Sequence, residues 1–289
     1  MKITNKHSVP QTLVALANRD SYSKGRADYS VTEILSPPRI QRLRAKHYHE
    51  MEQDVSDMLW QMLGSALHVV AEGGKADNHI TEERLFLQVG GVVLSGAIDL
   101  QVVDGDLVDI VDYKFTSAWS LRNDKPEWEQ QQNIYAYMVE TLKKKQVRNI
   151  HICALIRDWS RREAAINPQY PQAPIAMVSI PVWGSERTAQ FIKDRIDLHH
   201  ESKVADDFGD ELPECTEEER WVRDTKWAVM KEGRKSAVRL FDSEEEAQEL
   251  GSQLKHFIVQ RKGESIRCGF CGVKKWCSQF KRMQDENEG

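Results

Sequence analysis

Val92-Val93-Leu94-Ser95-Gly96-Ala97-Ile98-Asp99-Leu100-Gln101-Val102-Val103, joined through Asp104-Gly105-Asp106 to Leu107-Val108-Asp109-Ile110-Val111-Asp112-Tyr113-Lys114, is the stretch on which the fold turns. Both runs are apolar and rich in β-branched residues, the composition of strands. Each also carries charge where a buried strand should have none: Asp99 in the first, Asp112 and Lys114 in the second. A carboxylate removed from water must be paired, hydrogen-bonded or bound to a cation. Side chains alternate along a strand, so Asp112 and Lys114 share one face and Tyr113 takes the other. Asp104-Gly105 is a tight-hairpin signal. A turn centred on that pair sets Val103 against Asp106 and Asp99 against about Ile110, one step from Asp112. The two acids therefore converge.

Upstream, Glu82-Glu83-Arg84 leads into a strand over residues 85–89, turned by Gly90-Gly91, with Glu83 at its head. Before it, Met51, Val55, Met58, Leu59, Met62, Leu63, Ala66, Leu67 and Val70 fall at helical spacing and predict a core-facing helix over 51–70. Near its end lies Gly64-Ser65-Ala66-Leu67-His68, in which small residues leave room for close approach. Taken alone, His68 is more often a satisfied histidine than a ligand. Downstream, a loop over 116–125 leads to Asp124-Lys125-Pro126-Glu127, a helix start. In that helix Gln131 and Tyr135 stack one turn apart, while Gln132, Asn133 and Tyr137 face elsewhere. Residues 149–156 form a buried strand with Cys153 as a small core residue. Residues 157–174 carry Trp159, Arg161 and Arg162, and suit either a plain surface loop or a contact with single-stranded nucleic acid. A strand over 175–182 and a helix over 186–200 follow.

The chain has 289 residues, enough for a large core and a smaller module. Its 40 basic and 45 acidic residues give a net charge of −5, so any nucleic-acid contact must rest on local charge. No apolar run reaches membrane-spanning length, and Met1-Lys2-Ile3-Thr4-Asn5-Lys6-His7 lacks the apolar core of a signal peptide, which points to a cytoplasmic protein without membrane contact. Residues 1–30 read as an arm and 31–203 as the core. The acidic shift over 201–219 marks the start of a C-terminal module, 204–289. Ser36-Pro37-Pro38-Arg39 breaks the chain, and the basic segment over 39–50 is either a solvated helix face or a phosphate-contacting patch. In the module, 227–230 and 236–241 read as a hairpin, and Ser243-Glu244-Glu245-Glu246 opens a helix running to about residue 260.

An acid on one strand and acid-x-Lys on the next suit phosphodiester hydrolysis, which wants a divalent cation on oxygen ligands and a cation near the developing charge. A surface hairpin with a structural Asp-Lys pair is the plainer alternative, and the tripeptide alone is common. The conjunction is more specific. Asp99, then Asp112-Tyr113-Lys114 at a strand end, then Gln131-x-x-x-Tyr135 on a helix, preceded by a helix bearing His68, resembles the RecB-like branch of the PD-(D/E)XK nuclease superfamily over residues 31–200.

The resemblance implies an α/β fold: a restriction-endonuclease-like core with a central mixed sheet flanked by helices, plus a small C-terminal cysteine-rich module. It implies Mg²⁺ or Mn²⁺ on His68, Asp99, Asp112 and the Tyr113 carbonyl, Lys114 in catalysis, Gln131 and Tyr135 on the substrate, and Glu83 as an outer-shell acid. The implied activity is metal-dependent DNA cleavage, as an exonuclease on single strands or duplex ends. The rival is a nuclease-derived DNA-binding or recombination-accessory protein without turnover.

Five cysteines are present, and Cys268-Gly269-Phe270-Cys271 with Cys277 leaves two and then five intervening residues, a thiolate spacing for zinc or an iron–sulfur cluster. It resembles the C-terminal triad of AddB-type and CRISPR-associated iron–sulfur exonucleases, and there is a vaguer likeness to phage-encoded nucleases. In that group the fourth cysteine precedes the core. Here none precedes Cys153, which leaves Cys215 as the fourth ligand. The resemblance favours [4Fe–4S], with Zn²⁺ as the alternative.

Overall fold

Both apolar runs are strands, and the sheet they centre frames the first of two units into which the chain divides. The structure, a computed structural model, describes residues 1–19, 23–74, 76–122 and 125–288. The chain begins with β1 (Lys2–Thr4), α1 (Gln11–Ala17), β2 (Tyr29–Ser30) and α2 (Val31–Leu35). Next comes α3 (Pro38–His47), which from Arg39 onward belongs to the second unit. The first unit resumes with β3 (Glu52–Asp54), α4 (Leu59–Glu72), β4 (His79–Val89), β5 (Val92–Asp104), β6 (Leu107–Thr116) and α5 (Pro126–Lys143). It ends with β7 (Gln146–Ile156), α6 (Arg161–Ile166), β8 (Ile175–Ile180) and α7 (Ser185–Phe208). Asp124, at the expected start of α5, lies outside the described residues.

The sheet is six-stranded and mixed, in the order β2-β5-β6-β7-β8 with β4 along the other edge of β5. Helix α5 is the crossover that lets β6 and β7 run parallel. It covers one face of the sheet, where Leu94, Ile98, Val108 and Ile110 meet Ile134, Tyr135 and Met138. Gly96 permits the close approach, since a Cβ there would lie 2.8 Å from Tyr135 Cε1.

The hairpin between β5 and β6 closes on Asp104↔Leu107, with Gly105 at φ 59 in the first turn position. The turn is thus one residue later than the sequence suggests, because glycine takes the left-handed conformation that the first position needs. In this register Leu100 pairs with Val111, which sets Asp99 against Asp112 rather than Ile110. Pairing stops there. β2 takes over the same edge of β5 at Leu94 and Ser95, leaving a notch at residues 96–99.

The opposite edge is also irregular at this level. β4 pairs with β5 on both sides of Glu82 and Asp99 but not at them, and Glu82 has φ 50, a strained value for a residue with a Cβ. The strand faces exchange across the irregularity. Leu94 and Ile98 face α5 on one side of it, and Val103 and Gln101 do so on the other, Gln101 accepting a hydrogen bond from Lys143 of α5 at 3.1 Å.

The helix expected over 51–70 begins only at Leu59, and none of its residues is buried. The buried members of the stripe, Met51, Val55 and Met58, precede it. The cause is Asp54. Its carboxylate accepts from Lys6 N at 2.7 Å, Thr4 Oγ1 at 2.9 Å and Ser56 N at 3.1 Å, which ties β3 to β1 and starts a 3₁₀ turn instead of a helix. These bonds, led by the one from Lys6, hold the buried Asp54 carboxyl well below the usual range. The segment after β7 is likewise not a bare loop. It contains α6, and Trp159 packs inside it with Tyr170 while its Nε1 donates to the Pro171 carbonyl at 2.8 Å.

The second unit continues with α8 (Glu217–Arg220), β9 (Lys226–Met230), β10 (Arg239–Phe241), α9 (Glu244–Leu254), β11 (Phe257–Arg261), α10 (Ile266–Phe270) and α11 (Ser278–Glu288). Its antiparallel sheet runs β10-β9-β11. The helix expected to reach residue 260 stops at Leu254, where Lys255 turns left-handed at φ 54, and Phe257-Ile258-Val259 becomes a strand. Arg39, in the basic segment over 39–50, is buried rather than solvated. It donates to the Leu212 and Pro213 carbonyls and to Glu211 and Ser278. Among the described residues, no helix is long and apolar enough to cross a membrane.

Candidate active site

The notch between β5 and β6 exposes the Tyr113 N–H to Asp99, whose Oδ2 accepts it at 2.8 Å. Asp99 Oδ1 lies 3.6 Å from His68 Nδ1, brought in by α4. From β4, Glu82 Oε1 is 3.2 Å from the same nitrogen. Among the described residues, His68, Glu82 and Asp99 are the one group of three or more His, Cys, Asp or Glu whose ligand atoms all lie within 4.8 Å of one another.

Asp112 faces α5 and is 2% exposed. Gln132 Nε2 donates to its Oδ1 at 2.8 Å. Its Oδ2 is 2.7 Å from Lys114 Nζ, an ion pair by distance, yet it accepts no hydrogen bond of good geometry. Lys114 Nζ donates to Gln131 Oε1 at 3.3 Å, and Gln131 Nε2 donates to the Tyr135 hydroxyl at 2.9 Å. The six residues that the sequence assigned to a single site, His68, Asp99, Asp112, Lys114, Gln131 and Tyr135, are thus linked through these contacts and through the charges of the two acids.

Burial, and then the neighbouring Asp112 charge, hold the Asp99 carboxyl well above the usual carboxylate range, although His68, the Tyr113 N–H and Lys114 all pull it down. His68 is pushed up, first by its hydrogen bond to Glu82. Asp99 and Asp112 are both buried, the first beside His68 and the second paired with Lys114. Carboxylate oxygens with one imidazole are donors that suit Mg²⁺ or Mn²⁺, so the residues present fit such an ion.

Glu83 does not join the group. It lies beyond the irregularity, on the α5 face, where its Oε2 accepts from Gln101 Nε2 at 2.7 Å and from Lys143 Nζ at 2.6 Å. It clamps the C-terminal end of α5 to the sheet, and its neighbour Glu82 stands where an outer-shell acid was expected. Sequence reasoning passed over Glu82 because nothing in Glu-Glu announces a left-handed backbone. It also turned Gln132 away from the site, although the run Gln130-Gln131-Gln132 lets two successive amides reach Lys114 and Asp112.

A sequence model of the PD-(D/E)XK nuclease superfamily matches residues 16–278. The chain belongs to this superfamily. Its match extends past the sheet and its helices into the second unit. Among solved structures, the PD-(D/E)XK chain is similar to SSO0001, at 17% identity over 65% of this chain and 82% of that one, with a TM-score of 0.42. It is also similar to a protein of Eubacterium rectale named provisionally as an exonuclease, at 9% identity over 71% and 75% of the two chains, with a TM-score of 0.31. No curated protein matches the sequence.

The second unit of this PD-(D/E)XK chain places Cys215, Cys268, Cys271 and Cys277 on the wall of one cavity, with Arg39 and Gln279 beside them. Cys215 is held there through its backbone. Its N–H donates to Gln279 Oε1 at 3.0 Å and its carbonyl accepts from Gln279 Nε2 at 2.9 Å, two residues beyond Cys277. Burial pushes the Cys215 thiol up to about 12, with the Glu219, Cys277 and Cys268 charges adding to it. The four sulfurs are not drawn into a set within 4.8 Å. Cys153 lies apart, half-buried in β7.

Proposed function

We propose that this PD-(D/E)XK protein is a divalent-metal-dependent DNA exonuclease of the RecB-like branch, hydrolysing phosphodiester bonds in single strands or at duplex ends. The observation that carries this reading is the convergence of Asp99 and Asp112 beside Lys114 in the β5–β6 notch, with one acid held well above its ordinary range and Asp112 Oδ2 left without a hydrogen bond. His68, Glu82, Asp99 and Asp112, with the Tyr113 carbonyl, would hold Mg²⁺ or Mn²⁺. When bound, such an ion supplies positive charge against the scissile phosphate and activation of the attacking water. Lys114 offers a fixed ammonium where charge develops on the phosphate oxygens. Gln131 aims that ammonium and donates its amide to the hydroxyl of the buried Tyr135, which anchors it, so that the pair positions the strand to be cut through Gln131. Gln132 holds Asp112 Oδ1 and so turns Oδ2 toward the reacting group.

In the second unit, the shared cavity supports Cys215, Cys268, Cys271 and Cys277 as one ligand set. The likeness of the Cys268, Cys271 and Cys277 spacing to the triad of iron–sulfur nucleases makes [4Fe–4S] the reading we adopt, with Zn²⁺ as the alternative.

Digestion of end-labelled single- and double-stranded DNA tests the activity. With Mg²⁺ or Mn²⁺ the products should shorten from an end and carry 5′-phosphates. Bound but uncut DNA with both metals would overturn the nuclease reading and leave a DNA-binding protein. The metal set is tested separately by titrating Mn²⁺ into two variants in a calorimeter. Glu82→Gln should weaken binding by roughly 10- to 100-fold. Glu83→Gln should leave it unchanged and lower the melting temperature, since it weakens the clamp on Lys143. Equal losses in the two variants would contradict the assignment.

A further inference from the structure

Two large aromatic side chains stand open to solvent around the C-terminal end of β6, the strand that carries Asp112 and Lys114. Trp60, in the first turn of α4, is 52% exposed, and Trp119, just after β6, is 57% exposed. Neither is loose. The Trp60 ring centre lies 6.2 Å from that of Phe115 at a tilt of 39°, and the Arg157 guanidinium lies over the ring, 4.8 Å from its centre. A stacking partner would therefore use the part of the indole that these two leave open. Phe115 follows Lys114 directly and points to the other face of β6. Arg157 is fixed by its backbone N–H, which donates to the Thr116 carbonyl at 2.8 Å. Lys125 sits 5.7 Å from the Trp119 ring centre. Thus in a chain of net charge −5, each exposed indole near the catalytic strand has a cation beside it.

A flat π-face held rigid and flanked by a cation is a platform for an unpaired base, with the cation serving the adjacent phosphate. Paired bases in a duplex hide their faces from such a surface. Trp60 and His68 share α4 eight residues apart, about 12 Å along its axis. That is three to four nucleotides at about 3.4 Å per stacked step. The aromatic expected for this role within 157–174, Trp159, is occupied by its own loop.

We propose that Trp60, braced by Phe115 and Arg157, stacks on an unpaired base of single-stranded DNA and makes a single strand the preferred substrate. The proposal rests on the nuclease reading for its location near the reacting phosphate, but its test does not need turnover. Binding of fluorescein-labelled oligothymidylate and of a blunt duplex is measured on the full chain in EDTA. Trp60→Ala should weaken single-strand binding by roughly 5- to 100-fold, the worth of one base–aromatic stack, and change duplex binding little. Trp60→Phe should keep most of the affinity, and Arg157→Ala should lose less than Trp60→Ala. A scan of single abasic positions along the oligonucleotide should find one that weakens wild-type binding but not that of Trp60→Ala. Unchanged single-strand binding by Trp60→Ala would overturn the proposal. Equal losses on both DNAs, or no abasic position whose effect depends on Trp60, would overturn it as well. Tight, Trp60-dependent binding without cleavage under Mg²⁺ or Mn²⁺ would instead defeat the nuclease reading and leave this one standing.

Discussion

Asp112→Asn is expected to lower metal-dependent DNA cleavage by about 10²- to 10³-fold or more, the loss that follows removal of one preorganised charge-stabilising group, while the protein stays folded. The amide keeps the volume of the carboxylate and retains Oδ1 as an acceptor for Gln132, so the buried position is not emptied. What disappears is the charge at Oδ2, the oxygen that faces Lys114 without a good hydrogen bond. Asp99 should fall back toward the ordinary carboxylate range at the same time, because the Asp112 charge is one of the two causes raising it. Lys114→Ala should give a comparable loss by a different route, leaving metal binding intact and removing the ammonium. Initial rates on labelled DNA, with circular dichroism as the control for folding, measure both. Either variant cleaving within a few-fold of wild type would sink the assignment.

The second large effect is expected at Cys215. Protein purified without oxygen should be brown and contain iron and sulfide, and Cys215→Ser should be colourless with both lost. The position is informative because its backbone is already pinned, N–H and carbonyl, to Gln279. Serine there keeps both bonds and removes only the sulfur, so loss of iron reports a missing ligand rather than a displaced chain. Bound metal of this kind is folding free energy, on the order of 10 kcal/mol for structural zinc in small domains. The second unit of the variant should accordingly become sensitive to protease while the first resists. Wild-type protein that is colourless and contains zinc would exclude the cluster. Iron retained in Cys215→Ser would exclude this cysteine.

The parts of the site legible in the sequence were those where chemistry conflicts with burial. Asp99, Asp112 and Lys114 stand out in apolar strands because nothing but a functional or paired role tolerates them there. Backbone geometry was less legible. Asp104-Gly105-Asp106 is compatible with two hairpin registers one residue apart, and the difference decides whether Asp99 opposes Ile110 or Asp112. The position of Glu82 is not legible in the sequence, because a left-handed glutamate is imposed by the sheet around it, not by its own preference. The apolar stripe over 51–70 was real but divided. Met51, Val55 and Met58 went to the core, while Asp54, captured by residues near the N-terminus, delayed the helix until Leu59. That capture spans about fifty residues, beyond the reach of local periodicity.

The order of strands has a consequence in time. β6 lies between β5, made before it, and β7, made after α5. During synthesis the strand bearing Asp112 and Lys114 remains an open edge until residues 146–156 have emerged, and Gln131, Gln132 and Tyr135 cannot be seated over it until that crossover closes. A ribosome-bound chain shorter than this holds both acids and the lysine without the helix that covers them, so the candidate site is assembled only after residues 146–156 have emerged.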